Sequence, residues 1–372
     1  MKNITSWIRI ISINLAIFIS LILMSELGLR ILWTGYTCVT HDCDFSRVSK
    51  IAVYEINGFQ EKNIGLSEFN RVFGYQPKPG FQKIIKGTGW DSELVTIDNN
   101  GYRSNGIERN EKALDGDNII LAVGDSFTFG DGVNNHETWP ACIEKNTKRL
   151  TLNGGVFGYG SAQAVKRAWF ITQTQEVDTI ILSILLRDDF HRDQLKFRSG
   201  FPRPAVVLKD GIVTYAEVPP FDTVGTKWNP AKPRILLQKM KRYSMVFAKI
   251  VDIFDTNLTG MKLSEIHSQA ASIDQIIQFT IKEFARLEVQ NKFVVLQYSQ
   301  NDIEEISAKV QQIKNSVTEI SIKNNIPIID TFKMLSREYL NGKKAIWKGH
   351  HTAYGNRLVC NEILNFIPNK IF

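Results

Sequence analysis

The stretch Ile119-Ile120-Leu121-Ala122-Val123-Gly124-Asp125-Ser126-Phe127-Thr128-Phe129-Gly130 decides how this chain is read. Five consecutive aliphatic residues suit a parallel strand covered on both faces. Gly124 lets the backbone turn sharply, and Asp125 and Ser126 are residues that start helices well. Strand, turn and helix in that order put the Ser126 hydroxyl at the carboxyl edge of a sheet. Open α/β folds carry their chemistry at that edge.

Working outward, strands are expected at Asn118–Val123, Val177–Leu186, Lys292–Gln297 and Pro327–Ile329, with helices at Ser161–Thr174 and Ala270–Asn291 between them. Strands alternating with helices predict a parallel sheet with helices on both faces. Ala162, Val165, Ala168 and Trp169 recur at helical spacing, so Trp169 reads as core. Residues Ile303–Lys323 read as an outer helix. Between about 197 and 250 the pattern loosens into an insertion. Within it, Val206–Leu208 and Ile212–Tyr215 predict a hairpin around Asp210-Gly211.

The 372 residues include 45 basic and 38 acidic side chains, a net charge of +7. These charges are interspersed and form no basic tail, which argues against a nucleic-acid partner. No cysteine or histidine spacing suits a metal, and no cofactor is implied. Cys38 and Cys43 fit a disulfide in an exported chain, whereas Cys142 and Cys360, in apolar surroundings, read as buried thiols. Ile10 to Ser25 carry no charge, and Trp7 and Trp33 bracket the apolar segment. With Lys2 and Arg9 ahead of it, the segment predicts a single-pass signal anchor with a cytoplasmic N-terminus. The bulk of the chain is then expected to be periplasmic or extracellular. The expected divisions are an anchor over 1–33, with membrane contact through 7–33, an extension over 34–115 packing on the core, and the main domain over 116–372.

Three blocks carry a family resemblance. The first is Gly124-Asp125-Ser126-Phe127-Thr128-Phe129-Gly130. The second is Asn153-Gly154-Gly155-Val156-Phe157-Gly158-Tyr159-Gly160. The third is Lys348-Gly349-His350-His351-Thr352-Ala353-Tyr354-Gly355. Together they resemble the SGNH/GDSL hydrolase superfamily. The resemblance implies a three-layer αβα sandwich with a central, mostly parallel, flavodoxin-like sheet. It also implies a Ser126 nucleophile, a His350 base and the Gly158 amide as an oxyanion donor. Two positions depart from the family pattern, and both change charge. Asp188 stands where an oxyanion-binding Asn is expected, and a carboxylate cannot donate a hydrogen bond unless protonated. Lys348 stands where the triad aspartate is expected, and a cation there opposes an imidazolium. Arg187 is a candidate to offset Asp188, and His351 competes with His350 for the serine. Arg103 reads as structural.

The resemblance implies a serine-dependent hydrolase of an O-acyl or O-acetyl ester, the substrate an envelope glycan or lipid, working through an acyl-enzyme. Two other readings stand: O-acyl transfer to a glycan, and a catalytically weakened domain that binds a glycan or partner protein.

Overall fold

Residues 12–28, 66–87, 90–107, 119–198, 201–218, 269–342 and 345–367 are described by a computed structural model. The chain divides into two units, Met1–Asn63 with Thr226–Ser264, and Ile64–Gly225 with Glu265–Phe372. In the first unit, residues 12–28 are helical. Ile13, Leu15, Phe18, Leu21, Leu23 and Met24 are exposed on that helix. Among the described residues no helix is long and apolar enough to cross a membrane. The rest of the segment expected to be an anchor, and the Cys38/Cys43 pair, lie outside the described residues.

The second unit is built on five parallel strands: β1 (Ile119–Val123), β2 (Thr151–Asn153), β3 (Val177–Leu185), β4 (Asn291–Gln297) and β5 (Ile328–Asp330). Their spatial order is 2-1-3-4-5, and every pairing is parallel. That is the flavodoxin-like winding, in which the switch between β1 and β3 opens a crevice at the carboxyl ends.

Side chains alternate across the sheet, and both faces are buried. Leu121, Val123, Ile180, Leu182, Val294 and Leu296 join one core. Ile120, Ala122, Ile181, Phe293 and Val295 join the other. The first face is covered by α3 (Ser161–Thr172), α5 (Ile273–Ala285) and α6 (Ala308–Lys323), through residues such as Val165, Ile277 and Val317. The second face is covered by α2 (Trp139–Thr147) and α8 (Ala353–Phe366), through Trp139, Ile143, Val359 and Ile363. Each large apolar side chain so buried contributes roughly 1.5–3 kcal/mol before entropy is counted. Short helices complete the unit: α1 (Ser126–Phe129), α4 (Asp189–Arg192) and α7 (Phe332–Leu340).

Strand β2 is absent from the sequence expectations, and the outer helix expected at 303–323 is two pieces. Gln300–Glu304 ends at the extended residue Glu305, and Ser307 caps α6 afresh by accepting from the Val310 amide. The hairpin Val206–Lys209/Ile212–Tyr215 forms around Asp210-Gly211. Trp169 is half exposed rather than core, whereas Ala162, Val165 and Ala168 on the same helix are buried. Residues 66–107 form two hairpins, Ser67–Asn70/Gly74–Pro77 and Gln82–Gly87/Trp90–Thr96. They join the sheet unit where the Arg103 amide donates to the Asn153 carbonyl at the end of β2.

Candidate active site

Strand β1 delivers the chain to Gly124 beside β3. A Cβ at Gly124 would lie 2.7 Å from the Ser183 carbonyl oxygen, so only glycine allows this approach. Asp125 then caps α1. Its carboxylate accepts from the Phe127 amide at 2.9 Å, and its carbonyl accepts from the amides of Thr128 and Phe129. The Ser126 amide is left as the unclaimed donor at the head of the turn. The Ser126 side chain stands at the carboxyl end of β1, in the crevice beside β3.

His350 arrives on a two-residue hairpin, Trp347–Lys348 against His350–His351, turning at Gly349. His350 Nε2 is 2.9 Å from Ser126 Oγ. His350 therefore faces the serine. His351 is buried instead, its ring 4.8 Å from that of Phe127 and 5.8 Å from that of Trp347. Neither nitrogen of His351 meets a protein hydrogen-bond partner. Burial, reinforced by neighbouring His350, holds its pKa down to about 3. His351 is thus a neutral packing residue under His350.

Two links fix this hairpin relative to the α2 side of the sheet. The Asn356 amide group donates to the His351 carbonyl at 3.1 Å, and its oxygen accepts from the Trp139 amide at 3.1 Å. One turn further along both helices, Cys142 and Cys360 form a disulfide, with their Cα atoms 6.1 Å apart. These cysteines are not the free buried thiols expected from their apolar surroundings. The facing positions on α2 and α8 bring them within bonding reach.

The two charge departures resolve differently from expectation. The Lys348 ammonium turns to Asp91 on the Trp90–Thr96 strand, at 2.5 and 2.6 Å from its two oxygens. Its charge is met there rather than at the imidazole. Arg187 does not pair with Asp188. It binds the buried carboxylate of Asp302, Nε to Oδ1 at 2.8 Å. The cation beside Asp188 is Arg192, one helical turn on, with Nη2 at 3.4 Å from Oδ2. Arg192 also donates through Nη1 to Asp125 at 2.8 Å and to Asp189 at 2.7 Å.

Burial and the nearby Asp125 charge raise the Asp189 pKa well above the usual range, although Arg192 and the Leu185 amide oppose that rise. Burial acts against the Arg192 cation, but the surrounding aspartates outweigh it and raise its pKa further. Asp188 remains at the sheet edge with its side chain 48% exposed.

The second glycine block lies across the crevice. Gly154 donates to the Ala122 carbonyl and Val156 to that of Gly124, so the loop is stitched to the end of β1. Gly158 has φ 73°, a left-handed conformation that favours glycine. The Tyr159 carbonyl accepts from Arg192 at 3.2 Å. Gly160, just before helix α3, has no side chain to cap it, and Asp193 caps the helix instead. Its carboxylate accepts from the Ala162 and Gln163 amides at 2.8 and 3.3 Å. Burial pushes the Asp193 pKa up to about 6 despite those bonds.

A further carboxylate, unforeseen in the sequence, belongs to Asp131, whose Oδ2 is 3.9 Å from His350 Nε2. Arg103 is wholly buried, and burial lowers its pKa to about 10. It donates to the carbonyls of Phe129, Gly130 and Val133, so it braces the loop that follows the serine. Sequence reasoning also missed Arg192, although its i, i+4 spacing from Asp188 was a usable signal. For Asp91 and Asp131 no sequence signal existed, because both meet their partners only through the tertiary fold. Among the described residues no group of His, Cys, Asp and Glu is arranged to hold a metal ion.

The sequence matches no protein-family model and no curated relative. Several solved structures are similar to it. An α/β-hydrolase enzyme from the metagenome of Lake Arreo, Spain, is 12% identical over 67% of this chain and 94% of its own, with a TM-score of 0.39. A lipolytic protein of the G-D-S-L family from Veillonella parvula is 13% identical over 66% and 96%, with a TM-score of 0.34. An acetylxylan esterase from Geobacillus stearothermophilus is 12% identical over 67% and 93%, with a TM-score of 0.37. The solved structures that this chain is similar to thus include esterases of the GDSL/SGNH kind.

Proposed function

We propose that this chain is a serine-dependent ester hydrolase of SGNH type, acting on an O-acyl or O-acetyl ester through an acyl-enzyme. The observation that carries this reading is the 2.9 Å contact between Ser126 Oγ and His350 Nε2 at the carboxyl edge of the sheet. A neutral hydroxyl becomes a competent nucleophile when a base within hydrogen-bond reach takes its proton. Ser126 Oγ attacks the acyl carbon while His350 removes the proton. The carbonyl oxygen then gains charge, and the amides of Ser126 and Gly158 are the donors available to it. The alkoxide leaves with the proton returned from His350, and water repeats the sequence to release the acid. Transfer of the acyl group to a glycan hydroxyl uses the same intermediate.

The exposed apolar helix over 12–28 supports membrane anchoring, and the Cys142–Cys360 disulfide supports an oxidising, exported location. An envelope glycan or lipid ester is then the natural substrate class. The half-exposed Asp188 favours a second reading, in which the same crevice binds a glycan or partner protein without turnover.

Labelling with a fluorophosphonate decides between them. The hydrolase reading expects covalent modification at Ser126, abolished in Ser126→Ala and His350→Ala, together with turnover of p-nitrophenyl acetate. A folded protein that neither labels nor turns over ester would sink the hydrolase and leave the binding reading.

A further inference from the structure

We infer that Tyr75, outside the central sheet on the hairpin Ser67–Asn70/Gly74–Pro77, is a positioning residue that aims the Gly158 amide at the oxyanion. This deepens the serine-hydrolase reading above and rests on it. The Tyr75 hydroxyl donates to the Phe157 carbonyl at 2.9 Å. That carbonyl and the Gly158 N–H belong to one peptide unit. The unit is trans, so its two polar bonds point in opposite directions. Tyr75 is buried, and pinning the carbonyl to its phenol sends the N–H the other way. Among residues 151–165, Gly158 is the one that is not buried.

The peptide needs this restraint because of the turn that contains it. The Tyr159 amide donates to the Val156 carbonyl at 3.2 Å, which closes a four-residue turn. Gly158 has φ 73°, and Phe157 is not among the described non-glycine residues with positive φ, so the turn is type II. A type I turn of the same four residues differs by rotating the Phe157–Gly158 peptide by roughly 180°, which exchanges the sides on which its carbonyl and amide lie. Glycine permits both forms. The Tyr75 hydroxyl keeps its bond to the carbonyl in the first form and loses it in the second.

Tyr75 is itself held by the turn. Its backbone carbonyl accepts from the Tyr159 hydroxyl, and the two rings meet edge to face at 5.2 Å. The turn is thus clasped on both sides of Gly158, while the Val156 amide bonds the Gly124 carbonyl beside the serine turn. As Ser126 Oγ bonds to the acyl carbon, the carbonyl π electrons move to oxygen and the hydroxyl proton moves to His350. With Asp188 where the family has an asparagine, backbone amides are the donors left to meet the new charge. A peptide whose carbonyl already accepts a hydrogen bond is also the more polarised donor.

The test is Tyr75→Phe in the full chain, which removes the hydroxyl and keeps the ring. One neutral hydrogen bond biases two peptide orientations by about tenfold, so kcat on p-nitrophenyl acetate is expected to fall about tenfold with KM little changed. Losing the donor altogether would cost about 10²–10³-fold. Inhibition by trifluoroacetone, whose adduct with Ser126 carries the same oxyanion, is expected to weaken by the same factor as kcat. Tyr215→Phe is the control, since the Tyr215 hydroxyl donates to the Ala162 carbonyl at 2.7 Å, an equivalent bond to the start of α3. It is expected to cost similar stability in urea and to leave kcat unchanged. An unchanged kcat in Tyr75→Phe, an equal loss in Tyr215→Phe, or a raised KM with trifluoroacetone inhibition unmoved would overturn the inference. Fluorophosphonate labelling of the unmodified chain separates the two levels. Labelling with kcat unmoved in Tyr75→Phe sinks this inference alone, whereas no labelling sinks the hydrolase reading and this inference with it.

Discussion

Replacing His351 with phenylalanine should remove a specific sensitivity to acid. In the folded chain His351 is fully buried between Phe127 and Trp347, and its pKa is held down to about 3. In the unfolded chain an ordinary imidazole titrates near 6.5. Between those two values the unfolded state binds a proton that the folded state refuses. Stability is therefore full above about pH 6.5 and is lost as the pH falls toward about 3. At ~1.36 kcal/mol per decade, the whole window holds on the order of 5 kcal/mol. The share lost between pH 7 and pH 5 is about 2 kcal/mol.

Phenylalanine keeps a ring in the same aromatic contacts and has no proton to bind. Urea unfolding of the two proteins, followed by tryptophan fluorescence at pH 7 and pH 5, reads the difference directly. The unmodified chain should lose about 2 kcal/mol more than His351→Phe across that interval. Other groups, Asp193 among them, titrate alike in both proteins and cancel in the comparison. An identical loss in the two proteins would show that His351 is not buried as a neutral ring, and the account of the hairpin would fail with it.

Two further outcomes test how the site is held. Replacing both Cys142 and Cys360 with serine opens a covalent loop spanning 218 residues. It should lower the unfolding free energy by up to about 5 kcal/mol, measured by denaturant titration without reductant; no change under those conditions would contradict the bond. Arg192→Met leaves Asp125 and Asp189 buried without their cation. It should destabilise the fold by about 3–5 kcal/mol and slow fluorophosphonate capture at Ser126, and an unchanged unfolding curve would refute the three-aspartate arrangement.

The central strands were legible because burial on both faces demands an unbroken aliphatic run, as in Ile119–Val123 and the body of Val177–Leu185. Thr151–Asn153 escaped notice because three residues with polar ends carry no such run. It is a strand only because β1 lies alongside it. Ser126 and His350 were readable from their local blocks, since a turn and a hairpin are short-range objects. The charges around them were not. Arg187 and Asp188 are adjacent in sequence, yet the turn after β3 sends Arg187 to Asp302 and leaves Asp188 to Arg192. Nor does the sequence order hint that Cys142 meets Cys360. That bond exists because α2 and α8 share the second face of the sheet.

The same distance along the chain has a consequence for timing. Ser126 and His350 are separated by 224 positions. When a ribosome has made the serine turn, β1 and the beginnings of its core, the residue that would activate the hydroxyl does not yet exist. The hairpin bearing His350 is seated by α8, and α8 is fastened to α2 by a bond that forms only where thiols are oxidised. On the hydrolase reading, synthesis order keeps the two halves of the site apart until α8 has been made, and closing the disulfide then fixes α8 against α2.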